Sequence, residues 1–293
     1  MMSAVRKMLI AAVLLLSTWA VVILLRGPIL VEEVATKTFP RLQPGMEAKK
    51  VLVLGATGNS GRRLVALGME RGHQVTAYVR NLDKLRTQYS GQIPAGLTAI
   101  EGDVLDPITL RAAMHGQDVV INAAGHLYQG ESYVPLVSAV IEAADEVLGA
   151  GGRFWLFGGA AILEIPGTQY MLTDSPMMPE VFLAHRKNYE QVKATQLDWS
   201  MFSPGPMSAA ENGKSHEGLR VTSDSLPVEF PAWARLVPKT AWPVLIRLKI
   251  PEMVITYEDA AKVIFDNLEV DSPLTKSKVG VALPPGMTRY KQD

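Results

Sequence analysis

The run Gly55-Ala-Thr-Gly58-Asn-Ser-Gly61 follows the apolar stretch Val51-Leu-Val-Leu54 and leads into a segment with helical periodicity. This placement constrains the fold more than any other feature of the chain. A strand that hands the chain to a glycine turn, and a helix that leaves it, is the arrangement that binds a dinucleotide. Gly55 permits the tight turn, Gly58 lets a pyrophosphate approach the backbone, and Gly61 allows close helix packing. The unpaired amides at the start of the helix, with their partial positive charge, then face the phosphates.

From residue 49 onward, strand-like and helix-like segments alternate. Strands are expected at 50–54, 74–80, 97–101, 119–122, 153–157 and 199–203, with helices at 60–71, 82–89, 107–115, 132–148 and 179–195. Such alternation implies parallel strands joined by right-handed crossovers, hence an α/β Rossmann domain with a doubly wound parallel sheet. The pattern breaks at Pro204-Gly-Pro206, and residues 204–256 read as a small irregular substrate-binding or lid region before a last helix at 257–268 and a strand at 278–282. Its aromatic, aliphatic and cationic mixture at 230–248 suits a hydrophobic lid or a membrane interface.

Ahead of this domain, residues 8–25 carry no charge and are bracketed by Arg6-Lys7 and Arg26. At ~1.5 Å per residue the run spans about 27 Å, close to the hydrocarbon thickness of a bilayer. It is longer than a signal-peptide core and lacks a small-x-small cleavage site, so residues 1–26 are read as one transmembrane anchor, with a cleaved signal peptide as the rival. Residues 27–48 form a linker expected to hold the 49–293 domain off the bilayer. The cations flanking the span do not orient it. Elsewhere, 29 basic and 29 acidic residues cancel, so nucleic acid is not an expected partner, and the absence of cysteine excludes disulfides and thiolate chemistry. No histidine pair has metal-binding spacing, so no metal site is expected.

Cofactor choice is read after the second strand, which ends in Arg80 where an NAD-specific site would carry a carboxylate. A guanidinium there pairs with a 2′-phosphate, with Arg62 as helper, so NADP(H) is expected rather than NAD(H). Asp103, after the third strand, is placed to accept from the adenine amino group. Asn122-Ala-Ala-Gly125 closes the fourth strand with small residues that leave room for ribose.

Together GATGNSG, Tyr78-Val-Arg80-Asn, Glu101-Gly-Asp103-Val, Val120-Ile-Asn122-Ala-Ala-Gly and Ser203-Pro-Gly-Pro206 resemble the short-chain dehydrogenase/reductase superfamily, in its atypical NAD(P)H-binding branch of biliverdin-IXβ/flavin reductase-like and NmrA-like proteins. The resemblance runs from about residue 50 to 268 and implies cofactor contacts at Gly55, Thr57, Gly58, Asn59, Gly61, Arg80, Asp103, Asn122 and Ala123. Tyr189 and Lys193 match the superfamily's Tyr-x-x-x-Lys pair, in which the ammonium favours the phenolate, and His185 would extend the same helical face. Where the superfamily has a carbonyl-polarising serine after the fifth strand, this chain has Phe157-Gly158-Gly159-Ala160, with Thr173 or Ser175 as candidate replacements. The resemblance therefore implies a membrane-anchored NADP(H)-dependent oxidoreductase acting on a small-molecule carbonyl or conjugated acceptor, the cytoplasmic side being favoured by cofactor supply. A non-catalytic NADPH-sensing module and an epimerase or dehydratase are the alternatives. The substrate and the oligomeric state stay open.

Overall fold

The computed structural model describes residues 4–35, 47–270 and 272–290. Linker positions 36–46 therefore lie outside the described residues. After the N-terminal helix α1 (Ala4–Leu25) the chain alternates β1 (Lys50–Leu54), α2 (Asn59–Glu70), β2 (Gln74–Val79), α3 (Leu82–Gln88), β3 (Leu97–Glu101), α4 (Pro107–Met114) and β4 (Val119–Asn122). It continues through α5 (Tyr133–Leu148), β5 (Arg153–Phe157), α6 (Leu183–Lys193) and β6 (Asp198–Phe202). The main sheet has the order β3-β2-β1-β4-β5-β6, and β1 is flanked in parallel register by β2 and β4. The direction of winding thus reverses between β1 and β4, the place where a doubly wound sheet opens a crevice at its carboxyl edge.

The strands are apolar on both faces because helices cover both. Val51 and Val53 pack with Leu64 and Val65 of α2, whereas Leu52 and Leu54 pack with Val137, Val140 and Ile141 of α5. The residues 204–256, expected to be irregular, contain β7 (Met207–Ser208), β8 (Arg220–Ser223), α7 (Trp242–Lys249) and β9 (Ile255–Thr256). The chain then forms α8 (Tyr257–Phe265) and β10 (Ser277–Ala282). β10 joins β6 in parallel, and β8 closes that edge in antiparallel register with Val221 opposite Val281. The helix expected over 179–195 is shorter: Pro179 starts a separate 3-10 turn at Glu180–Phe182, and α6 begins after it.

A third apolar cluster lies outside the Rossmann layers. It unites Leu163, Ile165 and Leu172 from the segment after β5 with Leu226, Val228, Phe230, Trp242 and Ile246. Ile29, from the linker, belongs to the same cluster. The described part of the linker is accordingly a strap rather than the free spacer expected from its prolines. Ile29 and Phe230 exchange backbone hydrogen bonds of 2.7 and 3.2 Å, and the Val34 amide donates to the Val221 carbonyl of edge strand β8 at 2.7 Å. The strap covers strand groups that would otherwise stay unpaired.

Candidate cofactor and active site

Gly55 sits at φ +74°, a conformation that other residues adopt only with strain, and a Cβ there would lie 2.8 Å from the Ala123 carbonyl oxygen. The turn therefore rests directly on the end of β4, at the reversal of winding. Gly58 donates to the Gly55 carbonyl at 2.9 Å and acts as N-cap of α2 without any side-chain cap. The first amides of α2 are left for an anion. A Cβ on Gly61 would overlap the Gly55 carbonyl oxygen, so α2 approaches the turn more closely than any side chain allows. Gln88, at the end of α3, braces the turn by donating to the Thr57 carbonyl at 2.9 Å. The motif alone carried no signal for that brace, because it comes from a separate helix.

These features fit a dinucleotide: a cradle that Cβ atoms would fill and a helix terminus without an internal partner. The side chains expected around it converge to different degrees. Arg80 follows β2, is exposed, and no hydrogen bond or ion pair engages its guanidinium among the described residues. Arg62, on the first turn of α2, donates to Asn59 Oδ1 at 3.1 Å. The Asp103 carboxylate accepts from the Leu105 amide at 3.0 Å, which fixes its orientation beside the edge of β3. Asn122 is buried, and its Oδ1 accepts from the Ala124 amide at 3.0 Å, while the Ala123 amide donates to the Leu54 carbonyl at 3.0 Å. Asn122 thus shapes the floor between β1 and β4.

At the end of β5 the structure supplies a physical reason for the missing serine. A Cβ on Gly159 would lie 2.8 Å from both Cδ2 and Nε2 of His185, and a Cβ on Gly158 would meet Met201 at 2.8 Å. The imidazole fills the space where a side chain would stand. His185 is 6% exposed, packs edge-on to Tyr133 with ring centroids 5.8 Å apart, and its Nδ1 is buried without a protein partner. Burial lowers its pKa to about 4, so the ring is neutral near pH 7. Burial also raises the Tyr133 hydroxyl to about 12, partly offset by the Asn188 side chain. Of the two candidate replacements for the serine, Ser175 is occupied in donating to the Thr240 carbonyl at 3.1 Å, and Thr173 is buried with its hydroxyl unpaired.

Tyr189 and Lys193 are not brought to this crest. Tyr189 packs edge-on to Trp199 at 6.0 Å between centroids, and the register aligns Trp199 through Phe154 and Val120 with Leu52 in the middle of β1. That level lies three residues, or about 10 Å, before Gly55 of the glycine turn. The helical spacing does set the Lys193 ammonium over the Tyr189 ring at 5.5 Å, but the buried Lys278 stands closer, at 4.9 Å. Burial, followed by the carboxylates of Asp224, Glu190 and Glu164, raises the Tyr189 pKa, opposite to what an adjacent ammonium alone implies. Tyr189 and Lys193 instead line a cleft of about 340 Å³ with Glu164, Trp199, Asp224 and Lys276.

The family described as NAD(P)H-binding matches residues 55–229, more than half of the chain. An isoflavone reductase homolog from Zea mays is 35% identical over 103 residues, which cover 34% of this chain and 33% of the maize protein. The match thus spans only about a third of that relative. Among solved structures, a wide-type short-chain dehydrogenase/reductase from Veillonella parvula in complex with NADP superposes with a TM-score of 0.59 at 16% identity, covering 84% of this chain and 100% of the other. ChuY, an anaerobillin reductase from Escherichia coli O157:H7, gives 0.56 at 16% identity, covering 82% and 100%. At such identity the structural likeness establishes the Rossmann fold. With the family match and the glycine turn at its start, the chain belongs to the NAD(P)H-binding family.

Proposed function

We propose that the protein is a membrane-anchored, NADP(H)-dependent oxidoreductase acting on a small or lipophilic carbonyl or conjugated acceptor. The observation that carries this reading is the uncapped N-terminus of α2, set on a side-chain-free cradle, with the exposed Arg80 just beyond β2, the strand paired with β1. The names of the maize and ChuY relatives, both reductases, support the reaction class. When bound, the reduced nicotinamide supplies a hydride.

The chain's own residues then divide the work. The α2 amides with Thr57 and Asn59 hold the pyrophosphate, Arg80 with Arg62 pairs with the 2′-phosphate, Asp103 accepts from adenine, and Asn122 and Ala123 form the ribose floor. At the crest of β5 the glycines leave the backbone open to the acceptor. His185 stands nearest to this position, and its neutral imidazole offers a ring N–H to the acceptor oxygen, orienting it without carrying charge. Helix α1 offers the 20-residue segment Arg6–Leu25, uncharged from Met8 onward, nearly all exposed and about 30 Å long, as a bilayer span. Supply of NADP(H) favours the cytoplasmic side.

The test is to reconstitute the full chain in vesicles, measure NADPH and NADH affinity, and follow NADPH oxidation against flavins, quinones and conjugated enones. Tighter binding of NADPH with acceptor-dependent oxidation is the expected result. A second reading, a cofactor-sensing module without turnover, is favoured by the glycines at 158 and 159, which remove a donor worth roughly 100- to 1000-fold in rate where it is present. Tight NADPH binding with no oxidation by any acceptor would select it.

A further inference from the structure

Helix α7 is apolar on two sides. Trp242 and Ile246 point into the third core cluster, while Val244 and Leu248, also four residues apart, face outward at 53% and 74% exposure. A surface helix ordinarily turns a polar face to water. The preceding 3-10 turn, Ala232–Leu236, exposes Trp233 and Leu236, and Leu30 of the strap is exposed beside it. Residues 232–249 carry four cations, Arg235, Lys239, Arg247 and Lys249, and no carboxylate. Lys249 is paired with Glu252, whereas Lys239 and Arg247 are exposed. The exposed acids Glu32, Glu33 and Glu229 belong to the strap and the segment it pairs with.

The same face is tied to the end of α1. Ile23, in the last turn of α1, is buried although the rest of the span is exposed, and α1 makes its tertiary contacts with the 232–236 turn. The Arg235 guanidinium donates to the Gly27 carbonyl at 2.5 Å and to the Pro28 carbonyl at 3.2 Å. Where α1 leaves a bilayer, this aromatic, aliphatic and cationic surface is therefore held at the headgroup level.

We propose that the face formed by Leu30, Trp233, Leu236, Val244 and Leu248, with Lys239 and Arg247 at its rim, is a second membrane contact that seats the domain on an anionic lipid surface. It rests on the reading of α1 as a span. Apolar side chains enter the interface while the cations meet lipid phosphates, each contributing about 5-fold in partitioning. Ser175, bonded to Thr240, links this face to the loop beside the β5 crest.

The chain has no cysteine, so single cysteines introduced into the full-length protein can carry nitroxide labels without a background. Labels at Leu248→Cys, Val13→Cys and Ile108→Cys would be compared in phosphatidylcholine vesicles with and without phosphatidylglycerol, using oxygen and a water-soluble nickel chelate as relaxation agents. Val13 reports the span, and Ile108 is an exposed position on α4 at the opposite end of the sheet. The expected result is oxygen access with nickel shielding at 248, strengthened by phosphatidylglycerol and weakened about 25-fold for two cations by Lys239→Gln with Arg247→Gln, and an aqueous signal at 108. A label at 13 in the bilayer with an aqueous label at 248 overturns the docking face and leaves the anchor standing. An aqueous label at 13 overturns the anchor. Shielding of 248 from both agents with dipolar broadening between labels assigns the face to a second copy and also overturns the proposal.

Discussion

Residues 55–61 are held by backbone meeting backbone: the Gly58 amide on the Gly55 carbonyl, Gly61 under the same carbonyl, and Gly55 against Ala123. Residues 226–253 are held instead by side chains reaching across long sequence separations. Phe230 and Trp242 meet edge-on at 4.9 Å, and Arg235 reaches 208 positions back to Gly27. A backbone-built site leaves its mark as obligatory glycines, whereas a side-chain-built region is written in ordinary apolar and basic residues. The first tolerates no added atom and the second tolerates many changes of detail.

The harshest break in this contrast is Gly61→Val. Its branched side chain has nowhere to go between α2 and the turn, so a loss of ~4 kcal/mol or more is expected, seen as absence of folded protein or of NADPH binding. A folded variant with unchanged cofactor affinity would show that the close approach is dispensable. Next, Trp242→Ala should lower stability by about 3 to 5 kcal/mol in denaturant unfolding. The NADPH dissociation constant should stay within a few-fold, because no element of the turn contacts this ring. A parallel collapse of NADPH affinity would mean that the two regions are one cooperative unit.

Third in size is the acid limb attached to His185. Its folded pKa, about 4, lies below the ordinary imidazole value of 6.5, so the unfolded chain binds the extra proton first. The stability it confers is complete above the unfolded value and is lost as pH falls through that window, by up to about 3 kcal/mol. His185→Gln should flatten this limb in pH-resolved unfolding; identical limbs in both proteins would place the acid sensitivity elsewhere. The smallest effect is Arg80→Asp. It should reverse the NADPH over NADH preference by about 10- to 100-fold at little cost in stability, since Arg80 is exposed and no hydrogen bond or ion pair engages its guanidinium among the described residues. Unchanged affinities for both cofactors would remove Arg80 from the site.

The same contrast explains what could be read in advance. Strands β1 to β6 are mostly apolar runs between turn residues, so their positions and their parallel direction followed from the pattern. Strand β8 did not, because it forms by long-range antiparallel pairing with β10, Arg220 opposite Ala282, and the Arg220 side chain is accommodated by bonds to the Leu283 carbonyl at 2.8 Å and to Glu252 at 2.9 Å. The spacing of His185, Tyr189 and Lys193 correctly placed three side chains along α6. It carried no information on where α6 sits along the strands, which is set by Tyr189 packing on Trp199 and by His185 filling the space above Gly159. The absence of a serine was visible in the sequence, while its reason was visible only once the imidazole was seen against the glycine.

The strap has a mechanical consequence. Gly27, Pro28, Ile29 and Val34 are fastened in succession to Arg235, Phe230 and Val221 before the chain continues toward β1. A pull on the N-terminal helix loads these fastenings first and in series, so tension is discharged into the lid and the edge strand. The nucleotide turn sits behind that strain relief, insulated from the motions of whatever the helix is embedded in.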